Sequence, residues 1–386
     1  MARDMVAAAP EASLPPPQTP PPLGHRPGLD GLRAIAVGLV LLHHTVAILL
    51  PRHGDWFSGG FLGVDLFFVL SGFLITTLLL ERRQRKEAHP LLSFYARRAL
   101  RLLPAVAALL VGNLVVALFE RNGVGSAVES FAVVFTYTTN WALLYHFGNL
   151  SPNLSHLWSL AIEEQFYAVW PLVLLGTLAL GLTRRRLAWL CVALALVAAI
   201  WRAALYQSGE VWLVIYIRTD ARADALLIGA ALALVRPDML IGRILPRARG
   251  AAGAAALLLF IGVACAVHGD SSSLYLGGYT LVALLAGALI TVELAGPWAL
   301  HPLLASRPMV YVGRLSYSLY LWHFLVFRVV DAHVADSSTA LRLALGWGVT
   351  AAVSVASFRL VERPALRVKD RIGRRAGHST DEAMSR

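Results

Sequence analysis

From Gly28 onward the chain repeats long apolar runs broken by short polar stretches. The runs fall at 31–50, 61–80, 102–119, 127–145, 162–180, 187–206, 216–235, 250–268, 274–295, 309–330 and 341–361. A helix of about 20 apolar residues, rising 1.5 Å per residue, is long enough to cross a hydrocarbon core. The pattern therefore predicts an all-α polytopic integral membrane protein. One run stands apart: 127–145 carries Glu129, Ser130, Thr136, Thr138, Thr139 and Asn140. Backbone that does not cross is tolerated at depth where it lines a cavity. The expectation is about ten transmembrane helices plus one re-entrant or shallow segment.

Charge bears on the same count. "ERRQRKEAHPLLSFYARRALR" (81–101), "TRRR" (183–186), "RPDMLIGRILPRAR" (236–249) and the segment after Glu362 hold most of the basic residues. If 127–145 does not cross, all of these loops fall on one side, the cytoplasmic one, together with both termini. If it crosses, the last three switch sides. Residues 1–27, with "SLPPPQTPPPLG" at their centre, read as a disordered Pro-rich cytoplasmic tail. Residues 28–365 read as one membrane-embedded domain and 366–386 as a basic cytoplasmic tail. With 57% hydrophobic and 15% charged residues, the chain is far from the roughly one-quarter charged composition of soluble domains. The net charge of +11 is concentrated beside apolar segments, and no nucleic-acid-binding signature accompanies it, so no nucleic-acid partner is expected. Cys191 and Cys265 lie in apolar runs without metal-ligand spacing, and no metal is expected.

Several polar residues are out of character for a lipid-embedded bundle. In "GLDGLRAIAVGLVLLHHT" (28–45), Asp30 is placed to cap the first helix. Arg33 and His44 are eleven residues apart, so they share a helix face about 16 Å apart along the axis. His43 points about 100° away and reads as structural. Alone, Arg33 snorkelling and His44 bonding a neighbouring helix would explain the pair, but intramembrane ionisable residues are functional candidates by default. "GGFLGVDLFFVLSGFLIT" (59–76) adds Asp65, and Ser71 there reads as a packing residue. "SHLWSLAIEEQFYAVWP" (155–171) adds Glu163 and Glu164, which an interfacial helix start would also explain. "GRLSYSLYLWHFLVF" (313–327) puts His323 at a depth similar to His44. Trp158, Ser159, Tyr320 and His323 are the candidates for a substrate pocket. In "FYARRALRLLP" (94–104), Arg98 and Arg101 are three apart and can clamp a phosphate, although topology alone also accounts for basic residues there.

Taken in order, these stretches, with "TDARADALLIGAAL" and the late "LVERP", resemble membrane-bound acyltransferase family 3 over about residues 26–365. This is a family of bacterial O-acyltransferases acting on surface polysaccharides and macrolide antibiotics. The resemblance implies a multi-pass protein of the bacterial cell membrane, with no permanently bound cofactor. It implies acyl-CoA, usually acetyl-CoA, as donor and a hydroxylated sugar or glycoside as acceptor. It implies that Arg33 and His44 are required, and that Arg98 and Arg101 serve the CoA end. Many relatives carry a C-terminal hydrolase-like domain, whereas only "ALRVKDRIGRRAGHSTDEAMSR" follows Pro364 here, so the membrane domain is expected to finish the transfer itself. That ending and the Ala/Arg-rich composition lean towards an actinobacterial, small-molecule acceptor. Acyl transfer needs a base, and a neutral imidazole serves near pH 7, so His44 is the expected base, oriented by Glu163, Glu164 or Asp65. No Gly-X-Ser-X-Gly elbow is present, which favours direct transfer. The competing reading is a transporter or acyl/proton translocator, but no convincing internal repeat supports it.

Overall fold

The computed structural model describes residues 23–50, 57–87, 89–121, 123–241 and 246–367. The Pro-rich tail up to residue 22 and the basic tail from residue 368 lie outside the described residues. Within them the chain is helical, with no strand. In order the helices are α1 (Pro27–His44), α2 (Gly63–Gln84), α3 (Pro90–Glu120), α4 (Val124–Phe135), α5 (Thr139–Tyr145), α6 (Trp158–Ala179), α7 (Arg184–Gln207) and α8 (Trp212–Tyr216). They are followed by α9 (Thr219–Val235), α10 (Asp238–Ile241), α11 (Pro246–Ala266), α12 (Tyr279–Ala295), α13 (His301–Leu304), α14 (Arg307–Val334) and α15 (Thr339–Ser357). Among the described residues, seven helical stretches, those containing α1, α2, α3, α7, α11, α12 and α15, are long and apolar enough to cross a membrane. The expected ten crossings require α6, α9 and α14 as well, and these carry the polar residues of the site.

Local sequence sets where the helices begin. Pro27 and Pro90 occupy first turns, where a missing N–H costs nothing. Thr183 and Ser338 accept the N–H groups of Arg186 and Leu341 as N-caps. Asp30 does not cap α1: the N-cap is Arg26, and the Asp30 carboxylate instead meets His25 Nε2 at 2.8 Å and Arg314 Nε at 3.6 Å. A carboxylate already inside the first turn faces outward, beyond reach of the free N–H groups it was expected to satisfy. The third span also starts earlier than expected. α3 is one helix from Pro90 with Pro104 inside it, so Arg98 and Arg101 stand on a rigid helix and not in a loop. The polar run 127–145 breaks at Thr136–Thr138 into α4 and α5. At 12 and 7 residues these are about 18 and 10 Å long, too short to cross.

Two close crossings hold the bundle at the site. α2 and α9 run parallel, and a Cβ on Gly72 would lie 2.0 Å from Leu226 O, one on Gly229 2.1 Å from Val69 O. Without side chains the backbones touch, as small residues allow in membrane bundles. α1 and α14 touch similarly, where a Cβ on Gly313 would lie 1.9 Å from Asp30 O. That contact sets the register that later brings His44 to His323. Gly313→Val should therefore separate α1 from α14. A fall in thermal unfolding temperature, with a shift corresponding to about 1–3 kcal/mol, is expected for such overpacking; an unchanged transition would refute the close contact.

Candidate active site

Two cavities enter the bundle from regions near opposite ends of α1. The first, of about 130 Å³, lies between α1, α2, α3, α6 and α14. Its polar wall is Arg33, Arg98 and Arg101 with Ser71, Glu163 and Ser159. The charges are not equivalent. Arg98 is locked: its Nε donates to Glu164 Oε2 at 2.8 Å, its Nη2 pairs with the other oxygen, and its guanidinium lies 3.4 Å from the Tyr167 ring centre. Glu163 accepts from Ser71 Oγ at 3.0 Å. Arg33 and Arg101 have no ion-pair partner among the described residues, and both line the cavity. Two guanidinium groups without an ion pair, against the one carboxylate of Glu163, leave the wall net positive and suited to an anion.

The second cavity, of about 240 Å³, lies where α1 ends. Phe61, Trp158, Trp212, Tyr216, Tyr279 and Tyr320 give it aromatic walls, and His43, His44 and His156 also line it. Both cavities share Val64 and Tyr320, so these side chains stand at the boundary between them. The Tyr320 hydroxyl donates to His156 O at 2.7 Å and lies 2.5 Å from Ser159 Oγ.

At that boundary the hydrogen bonds fix the imidazole tautomers. His323 Nδ1 lies 2.7 Å from Tyr320 O and 3.1 Å from Leu319 O. A carbonyl only accepts, so Nδ1 carries the proton and His323 Nε2 is a bare lone pair. That nitrogen is 3.1 Å from His44 Nδ1, which is also 3.0 Å from Val40 O. His44 Nδ1 must then be the donor to both, which leaves His44 Nε2 as the unprotonated nitrogen. Phe324 packs edge-on against the His44 ring, with ring centres 5.0 Å apart, and limits its rotation. The arrangement is an oriented imidazole base at the wall of an aromatic cavity, three helical turns from an anion site.

The acyltransferase domain family matches residues 26–359. The chain belongs to acyltransferase family 3. Among similar proteins is a peptidoglycan O-acetyltransferase of Listeria monocytogenes, 35% identical over 356 residues, covering 88% of this chain and 55% of that protein. A Bacillus subtilis protein provisionally named a peptidoglycan O-acetyltransferase is 36% identical over 357 residues, covering 88% and 54%. A Staphylococcus aureus protein provisionally named an O-acetyltransferase is 31% identical over 352 residues, covering 88% and 57%. The chain thus spans about half the length of the curated relatives it matches. No solved structure matches it significantly.

In this family 3 chain the expected residues divide. Arg33 and His44 do share α1, one at each cavity. The carboxylate expected to orient His44 is a different group altogether. Asp65 pairs with Arg222 at 2.8 Å, Glu164 with Arg98, and Glu163 faces the first cavity; the group on His44 is His323. Buried carboxylates are drawn to guanidinium groups, and each took one or a hydroxyl. His323 is fully buried behind His44 and lines neither cavity, so it is not a pocket residue as expected but a supporting one. Trp158, Ser159 and Tyr320 do line cavity walls. Arg98, expected beside Arg101 at the donor end, reaches the cavity already neutralised by Glu164. Ser71 lines the first cavity, while its neighbour Gly72 makes the helix contact. His43, read as structural, is on the second cavity wall.

Sequence reading missed the α9 charges. Asp65 and Arg222 each lie seven residues before the glycines that cross, and Arg222 stacks 3.8 Å from the Tyr279 ring centre. Arg202 on α7 donates to Asp224 at 2.9 Å. Arg222 and Asp224 inside an apolar run were the available signal.

Proposed function

We propose that the chain is an O-acyltransferase that moves an acyl group, typically acetyl, from acyl-CoA to a hydroxyl of a sugar-containing acceptor. The acceptor is a cell-surface glycan or a glycosylated small molecule of the macrolide type. The observation that carries the reading is the His44 imidazole, with Nε2 unprotonated at the second cavity and Arg33 unpaired at the first. The donor phosphates engage Arg33 and Arg101, and the pantetheine arm spans the roughly 16 Å of α1 towards His44. The first cavity opens to the cytoplasm, where acyl-CoA is made, and both termini lie on that side of the bacterial cell membrane.

The reaction is a direct transfer. His44 Nε2 takes the hydroxyl proton as the acceptor oxygen attacks the thioester carbonyl and a C–O bond forms. The tetrahedral intermediate collapses, the C–S bond breaks, and the proton passes to the CoA thiolate. His323 stabilises the imidazolium by accepting from His44 Nδ1, the part a carboxylate plays in a triad. Arg98, held by Glu164 and Tyr167, shapes the donor cavity without taking a phosphate.

Proteoliposomes given labelled acetyl-CoA and a panel of glycosides test this. A labelled ester supports it; label carried across the membrane without any ester means a transporter and overturns it. Arg33→Ala and Arg101→Ala should each raise the KM for acetyl-CoA about tenfold or more, the effect of one lost charge-assisted contact. An unchanged donor KM in both would remove the anion-site role.

A further inference from the structure

Glu163 uses only one of its two carboxylate oxygens. Oε1 accepts from Ser71 Oγ at 3.0 Å, and Oε2 has no hydrogen bond or ion pair among the described residues. Oε2 is not among the buried polar atoms that lack a partner, so it retains accessible surface. Glu163 is half-buried and lines the first cavity, which is the space that surface meets. Arg33 and Arg101 line the same cavity without pairing with it, and Arg98 is taken by Glu164. Along the chain Glu163 stands four residues after Ser159 on α6, so the two share a face about 6 Å apart along the axis. Ser159 is tied to Tyr320 at the boundary with the aromatic cavity. α6 runs on from there to Leu178, whose carbonyl accepts from Arg83 at the basic end of α2. Glu163 thus stands one turn from the boundary, on the side of the basic end. A donor reaching from Arg33 and Arg101 to His44 runs past it.

A carboxylate oxygen only accepts, and it repels phosphate. Its match on an acyl-CoA is a neutral donor, and the pantetheine arm carries two amide N–H groups. We infer that Glu163 is a specificity-determining residue whose Oε2 accepts a hydrogen bond from an amide N–H of that arm. The inference rests on the acyltransferase reading above. It divides the donor between two kinds of contact, phosphates on the two free guanidinium groups and an amide on the carboxylate beyond them. The repulsion of phosphate by Glu163 then fixes which end of the donor leads. A thioester whose arm lacks the N–H at that point is discriminated against. No bond to Glu163 forms or breaks, and the amide keeps its proton.

The test uses acetyl-CoA and two analogues in which one or the other pantetheine amide N–H is replaced by an ester oxygen, with one acceptor from the glycoside panel above. The unchanged protein should lose about tenfold or more in kcat/KM on one analogue, the effect of one hydrogen bond to a charged group. Glu163→Leu should be slower on acetyl-CoA by a similar factor and treat the three donors alike. Glu163→Gln can donate its amide to Ser71 and leave its oxygen for the arm. A neutral acceptor is about half as strong, so this variant should keep the discrimination in weakened form. The acceptor KM should stay the same in both, whereas a carboxylate that only supports the wall would shift all three donors equally. No penalty for either analogue in the unchanged protein, or a penalty undiminished in Glu163→Gln or in Glu163→Leu, overturns the inference while leaving the acyltransferase reading intact. The nearly isosteric glutamine decides the matter even where the leucine variant does not insert. Absence of transfer from acetyl-CoA to every glycoside overturns both.

Discussion

Replacing His44 by alanine should lower kcat for acyl transfer by about 10²- to 10⁴-fold, the usual contribution of a positioned general base. The side chain stands at the end of α1 on the wall of the aromatic cavity, with its protonated nitrogen spent on Val40 O and His323. Its loss takes away the group that accepts the hydroxyl proton, while Arg33 and Arg101 remain to hold the donor. The KM for acetyl-CoA should therefore move little. His323→Ala should have a smaller effect, because His44 keeps its bond to Val40 O and loses only its acceptor partner. Single-turnover transfer from labelled acetyl-CoA, on protein shown to be inserted and monodisperse, makes the measurement. A His44→Ala protein near full rate would end the base assignment.

The second large effect concerns stability. Asp65 and Arg222 are each 1% exposed and paired at 2.8 Å, with Arg222 also lying over the faces of Tyr279 and Tyr216. Asp65→Ala leaves a guanidinium buried without its counter-charge, which costs about 3–5 kcal/mol. The variant should unfold at a markedly lower temperature in detergent, followed by intrinsic tryptophan fluorescence. Combining it with Arg222→Met should recover most of the loss, since removing both charges removes the desolvation problem. An Asp65→Ala protein as stable as the parent would mean that the pair is not what holds α2 to α9 at this depth. Asp65 lines neither cavity; its partner Arg222 lies over Tyr216 and Tyr279, which line the aromatic one.

Much of this was legible in the sequence. Apolar run length located most helices, and α-helical periodicity put Arg33 and His44 on one face because that relation lies within a single helix. Relations between helices were harder. The depth of His323 matched that of His44, yet that the two meet depends on how α1 packs on α14, through Gly313 on Asp30 and Val37 and Leu41 with Leu315 and Leu319. Which carboxylate finds which arginine is likewise decided by helix neighbours 66 and 157 positions apart. The start of α3 differs from expectation because Arg97, Arg98 and Arg101 end the apolar run at 102, whereas the helix continues back through them to Pro90. Asp30 resembled a cap by type and place, but the true cap position fell four residues earlier, at Arg26.

The Tyr320 hydroxyl, tied to Ser159 and the His156 carbonyl, has a consequence for how the cavities are kept apart. The two cavities share this phenol and Val64 as lining, so these two side chains are what separates them. In the transfer proposed above, an acyl group passing from the first cavity to His44 would push past this phenol and fill the opening it makes. On that proposal the substrate would be its own stopper, closing the gap between the two cavities as it opens it.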